Sequence, residues 1–118
     1  MRLVDYFKKK SLHDSNIDSV ELKSDCLILI FSAFDEDSDD EIRIDVTFFG
    51  AKGDACHAMK KWFDLNENVG VLIMTCKETV DGYETEIMME SFNYATEVKD
   101  FMKISVSSQS ADVSLLHR

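Results

Sequence analysis

Apolar and polar residues change rhythm several times along this chain, and each rhythm predicts an element. Leu3, Val4 and Phe7 fall at helical spacing ahead of Lys8, Lys9 and Lys10. This suits a short helix within Met1 to Lys10, with cations near its C-terminal end. Asp14-Ser15-Asn16 is turn chemistry, and Ile17 to Lys23 then sets Val20 and Leu22 on one face of a half-buried strand. After a turn at Ser24-Asp25, Cys26 to Phe34 is continuously apolar apart from Ser32 and rich in strand formers, which predicts a central strand. Ile42, Ile44, Val46 and Phe48 alternate strictly through Ile42 to Phe49, so the two runs form a hairpin with a long acidic connection.

The period changes after the Gly50 to Gly53 break. Asp54 stands where a helix N-cap would, and Ala55, Ala58, Met59, Trp62 and Phe63 then define one apolar helical face. Asn66 to Asn68 closes that helix. Val69 to Cys76 and Glu84 to Phe92 read as strands joined by an Asp81-Gly82 turn. Val98 to Ser107 reads either as a strand, on the alternation of Met102, Ile104 and Val106, or as a segment with a helical start. Ser107 to Ser110 is expected to be loose. The layout predicts an α+β domain spanning residues 1–118, with an antiparallel sheet of about five to six strands and one or two short helices.

Composition narrows the function classes. In 118 residues, 45% are hydrophobic, enough for a core without disulfide or metal staples. Acids outnumber bases 23 to 13, a formal charge of -10. That balance disfavours nucleic acid and anionic membrane surfaces and favours a cationic partner, if there is one. Cys26, Cys56 and Cys76 are odd in number and far apart, which argues against a disulfide framework. No apolar run followed by a small-residue cleavage site opens the chain, and none approaches the ~20 residues a membrane helix needs. The expectation is a cytoplasmic protein.

No complete catalytic set emerges. Cys56 and His57 are adjacent, so on a helix they point about 100° apart, poor geometry for a nucleophile and its base or for a shared metal. Cys26, Cys76, His13 and His117 are distant in sequence. The run Asp35 to Glu41 fits the early acidic positions of a calcium-binding EF-hand loop. However, Asp40 stands where glycine is required and Val46 where the closing glutamate is required. No metal or cofactor is expected, and the bland reading of the run is a solvated hairpin tip whose charges resist edge pairing. Trp62 and Phe63 read as core before they read as the wall of a ligand pocket.

Four stretches carry a resemblance. They are Leu12-His13-Asp14-Ser15-Asn16-Ile17, then Val20 and Leu22, Leu27 to Phe31, and Val46-Thr47-Phe48-Phe49-Gly50. Together they resemble small bacterial immunity proteins of polymorphic-toxin and contact-dependent growth-inhibition systems. Those proteins share a Leu-His-Asp-Ser start, two strands and an aromatic-glycine ending. Glu86 to Ser91 sits where such proteins have another alternating strand, and the resemblance covers about half the chain. It implies a non-enzymatic protein that binds and occludes a cognate toxin, in particular a nuclease with a cationic cleft. With the charge, it nominates Phe34, Asp35, Glu36, Asp37, Asp39, Asp40, Glu41 and Asp45 as the partner-binding residues. The alternatives are a generic interaction or oligomeric domain and, further off, a small-ligand binder or enzyme using a pocket near Trp62.

Overall fold

The computed structural model describes residues 1–51 and 53–117. Lys52, inside the expected Gly50–Gly53 break, and the imidazole of His117 lie outside the described residues. The elements are α1 (Leu3–Tyr6), β1 (Asn16–Leu22), β2 (Cys26–Asp35), β3 (Asp40–Phe49), α2 (Asp54–Leu65), β4 (Gly70–Thr79), β5 (Gly82–Asn93), β6 (Val98–Ser108) and β7 (Ser110–His117). The seven strands are antiparallel in the order β6-β5-β4-β1-β2-β3-β7.

The chain connection dictates how this sheet must bend. Strands β6 and β7 sit at opposite edges, yet Gln109 alone separates them in sequence. A flat sheet would hold those edges about 29 Å apart at ~4.8 Å per strand, whereas one residue spans ~3.8 Å. The sheet therefore folds over on itself, and its weakest seam marks the fold line. Strands β1 and β4 pair only around Asn16↔Gly70, through Ile17 N–H to the Val69 carbonyl, Val71 N–H to the Ser15 carbonyl and Asp14 N–H to the Val71 carbonyl. Two layers result, β4-β5-β6 and β1-β2-β3-β7. Helix α2 touches β1 and β6, and α1 touches β4 and β7, so each helix fills a place where backbone pairing does not join the layers.

The inner faces meet in one core. Val20, Leu27, Leu29, Phe31, Ile44, Val46 and Phe48 from one layer join Val71, Met74, Ile87, Met89, Ile104 and Val106 from the other. Leu3, Tyr6, Cys56 and Met59 from the helices complete it. Burying side chains of this size contributes about 1.5–3 kcal/mol each before chain entropy is counted.

Several expectations need correction. The sheet has seven strands, not five to six. The Ser107–Ser110 stretch is not loose: Ser107 and Ser108 end β6, and Ser110 begins β7, where Ala111 and Val113 are buried. Residues 98–107 are strand throughout, so the helical start is excluded. The connection between β2 and β3 is short, because pairing continues into the acidic run as far as Asp35↔Asp40. Gly53, at φ 92°, is the N-cap of α2, and Asp54 instead occupies the first turn, where its charge still suits the helix dipole. Cys56 and Met59 lie at the centre of the buried helical face while Ala58 is exposed. Trp62 and Phe63 are half-buried against the core.

Candidate protein-binding surface

Alternation along each strand decides what the four-stranded layer shows to solvent. Where Phe31, Ile44, Val46 and Val113 point inward, their neighbours point outward. Cross-strand register then fixes who meets whom: Phe34↔Glu41, Ser32↔Arg43, Ile30↔Asp45, Ile28↔Thr47, Glu21↔Ile28, Thr47↔Asp112 and Arg43↔Leu116. A β-bulge between Ile17 and Ser19 inserts Asp18 into this face, where its Oδ1 accepts from Ser32 Oγ at 3.1 Å.

Among the described residues the face is acidic with one cation in it. Arg43 donates from Nε to Asp45 Oδ1 at 2.8 Å and from Nη2 to Asp45 Oδ2 at 3.0 Å, a bidentate pair. That bond, with the attraction of Asp45 and of Glu21 and Asp18, pushes the Arg43 guanidinium above its ordinary value. Asp18, Glu21, Glu41 and Asp112 share the face with this pair, Asp112 standing opposite Thr47, two outward positions from Arg43. Ile28 and Ile30 are half-buried between strands, and Phe34 and Leu116 stand 63% and 46% exposed at the hairpin end.

The tip of the β2–β3 hairpin is built from side-chain-to-backbone bonds. The Asp37 N–H donates to Asp35 Oδ1 at 3.3 Å, and Ser38 Oγ donates to Asp35 Oδ2 at 2.9 Å. Asp39 takes the left-handed conformation, φ 53°, which aspartate tolerates better than most residues. Lys10, in the segment after α1, holds the tip from beneath, 2.5 Å from Asp37 Oδ2 and 3.7 Å from Asp35 Oδ1. The Asp37 hydrogen bond raises the Lys10 ammonium above its ordinary value of 10.5.

The eight nominated residues thus fall into three groups. Phe34, Glu41 and Asp45 share the outer face, although Asp45 lies ~17 Å from Asp40 at ~3.4 Å per residue. Asp35 and Asp37 turn under the tip to Lys10. Glu36, Asp39 and Asp40 are exposed on the turn. Asp18, Glu21, Asp112, Arg43 and Leu116 were not foreseen. Apart from Asp18, which a bulge places there, their outward positions follow from alternation, but their sharing of one face follows from strand order.

Other chemistry is arranged differently. On α2, Cys56 is buried and its thiol pushed up by burial, while neighbouring His57 is exposed. Trp62 donates from Nε1 to Asp100 Oδ2 at 3.2 Å, linking α2 to β6. A cleft of about 880 Å³ follows the β1–β4 seam and is lined by Phe63 and Asn66 instead of Trp62. Its amide is satisfied within the fold, because Asn66 accepts from Ser91 Oγ and donates to the Trp62 carbonyl. Among the described residues no three His, Cys, Asp or Glu side chains converge as a metal site would. No described helix is long and apolar enough to cross a membrane.

Comparison with protein-family models, with curated proteins and with solved structures finds no match.

Proposed function

We propose that this chain is a cytoplasmic inhibitor of the immunity type, which neutralises a basic protein, in the first place a nuclease toxin, by covering its cationic cleft. The observation that carries the reading is the outer face of β1-β2-β3-β7. Among the described residues it presents Asp18, Glu21, Glu41, Asp45 and Asp112 together with Arg43, and ends in exposed Phe34 and the acidic tip. Such a face attracts a cation-lined cleft over a distance of about a Debye length, ~8 Å at physiological salt, and repels the nucleic acid competing for that cleft. Phe34 and Leu116 supply apolar contact that slows dissociation. The sequence resemblance to immunity proteins points to the same role.

The test is binding kinetics against a basic nuclease-toxin domain, taken from a neighbouring reading frame where one is encoded, with two variant sets. Asp37→Asn/Asp39→Asn/Asp40→Asn neutralises the tip, and Glu21→Gln/Asp112→Asn neutralises the sheet face. Each set is expected to lower the association rate by about tenfold at low salt, the low end of what steering provides. Phe34→Ala is expected to raise the dissociation rate by about tenfold, or ~1.4 kcal/mol, with little change in association. Unchanged association rates and salt dependence in both charge sets would refute the proposal.

A further inference from the structure

We infer that the outer face of β4-β5-β6 is a self-complementary surface on which a second copy of this chain docks. The inference is independent of the inhibitor reading, which uses the outer face of the other layer. It starts from an apolar row that the fold leaves uncovered. Ile73 pairs across to Met88, and Phe101, beside Glu90, is the diagonal neighbour of Met88. Ile73 is 48% and Phe101 58% exposed. Neither helix supplies a cover, since α2 reaches β6 through inward-pointing Asp100 and α1 reaches the layer at β4.

The charge around that row identifies the occupant. Glu84, Glu86 and Glu90 line β5 on this side, and Lys77, Lys99 and Lys103 line β4 and β6. Three acids against three bases leave this face neutral in a chain of net charge -10. Two copies therefore repel each other in most orientations, and here the repulsion vanishes. A two-fold axis running between β5 and β6 lays the β5 glutamates of one copy along the β6 lysines of the other. Each Glu–Lys contact is then made twice, as an isologous interface requires. A basic partner gains nothing on a face with three lysines of its own, and an acidic one meets the three glutamates.

Size sets the strength. From Glu84 to Phe92 the face runs ~27 Å, and three strands give it a width of ~14 Å, so a pair covers roughly 800 Å² of projected area. That is below the ~1,200 Å² of stable specific interfaces and in the range of weak, transient ones, so the dimer is weak, with a dissociation constant on the order of 100 µM.

The experiment is sedimentation equilibrium of the full chain from about 10 µM to 1 mM, bracketing that constant. Wild type is expected to shift from monomer towards dimer, and Phe101→Glu to stay monomeric with an unchanged melting temperature. Charge-swap variants separate this interface from nonspecific association and from misfolding. Lys103→Glu alone and Glu86→Lys/Glu90→Lys alone are each expected to weaken self-association by about tenfold or more through like-charge contacts. Mixed in equal amounts, they are expected to form a heterodimer, because both halves of the two-fold contact become attractive. A chain that stays monomeric at ~1 mM overturns the inference. So does a dimer that survives Phe101→Glu, or a charge-swap mixture that fails to associate.

Discussion

The inner faces of the two layers are alike and their outer faces are not. Both layers bury alternate aliphatic and aromatic residues in one shared core. Outside, among the described residues, β1-β2-β3-β7 carries five acids and Arg43, whereas β4-β5-β6 carries three glutamates and three lysines. Folding requires only that outward positions be polar enough to stay wet, so burial does not explain the asymmetry. Charge is readily placed on a sheet surface and acts over about a Debye length, so sorting it by face creates two surfaces of different electrostatic character. The acidic one suits a cationic protein, and the neutral one suits another copy of the chain.

The strongest test of this contrast exchanges inside for outside at constant chemistry. Phe31→Ala removes a fully buried ring from the centre of the four-stranded layer and is expected to cost about 3–5 kcal/mol. Phe101→Ala removes the same ring from the neutral outer face and is expected to stay within about 0.5 kcal/mol. Urea melts followed by circular dichroism and by the fluorescence of Trp62 check both values. Trp62 sits on α2, which touches both layers, so the two probes should give one coincident transition. Separate transitions would mean that the layers are independent units, and the comparison would then be between two small domains.

The corner where the layers exchange chain comes next. At Gly82, φ is 155°, and a Cβ there would run into the carbonyl oxygen of Ser108. At Gly50, φ is 65°, and a Cβ would press on the side chain of Gln109. Gly82→Ala meets rigid backbone and is expected to cost about 2–4 kcal/mol, whereas Gly50→Ala meets a flexible side chain and should cost about 1–2 kcal/mol. Thermal melts rank the two. A neutral Gly82→Ala would mean that the β6–β7 passage does not pin the layers together.

These features differ in how far the sequence announces them. The period-2 run Ile42 to Phe48 and the apolar run from Cys26 specify their strands and the core they fill, because burial on one face permits one register. The alternation of Ala111, Val113 and Leu115 against Ser110, Asp112 and Ser114 is also present. It was masked by serines that read as a loose stretch, so β7 was missed, and Asp112 with it. Asp18 depends on a bulge, which has no pattern of its own. Above all, the placing of Glu21, Arg43, Asp45 and Asp112 on one face depends on strand order, which arises from packing the whole chain and not from any window of it. The acidic tip was legible because its residues are consecutive, but its restraint by Lys10, 27 positions from Asp37, was not.

A smaller perturbation sharpens the electrical contrast. Arg43→Gln removes the cation from the acidic face while leaving the neutral face untouched. The association rate with a basic partner is expected to rise about two- to threefold at low salt, and the gain should vanish towards 1 M, where the Debye length is about 3 Å. Stopped-flow binding across a salt series measures it. A fall in the rate would mean that the Arg43–Asp45 pair holds the face in its binding shape.

The smallest expected effect tests whether the tip belongs to the acidic face or to α1. Lys10 ties Asp37 and Asp35 downward, away from the face that Phe34 shares with Glu41. Its folded pKa lies above the ordinary 10.5, so its stabilisation is full below that value and disappears as pH rises through the raised folded value. Asp5 behaves in the opposite sense: hydrogen bonds from Arg2 and then Lys8 hold its carboxyl below the ordinary 3.8, so its contribution is present above that value and fades on acidification. Both groups are solvent-screened, so Lys10→Met should lower the melting temperature only on the order of 1–2 °C. That gap should persist from neutrality to about pH 10 and close above it, as the wild type loses the same bond. Amide exchange at Asp37 should quicken in the variant, and the association rate should rise as the freed tip carboxylates turn outward. If exchange quickens and association does not, the tip serves the scaffold, and the flat acidic sheet alone attracts the partner.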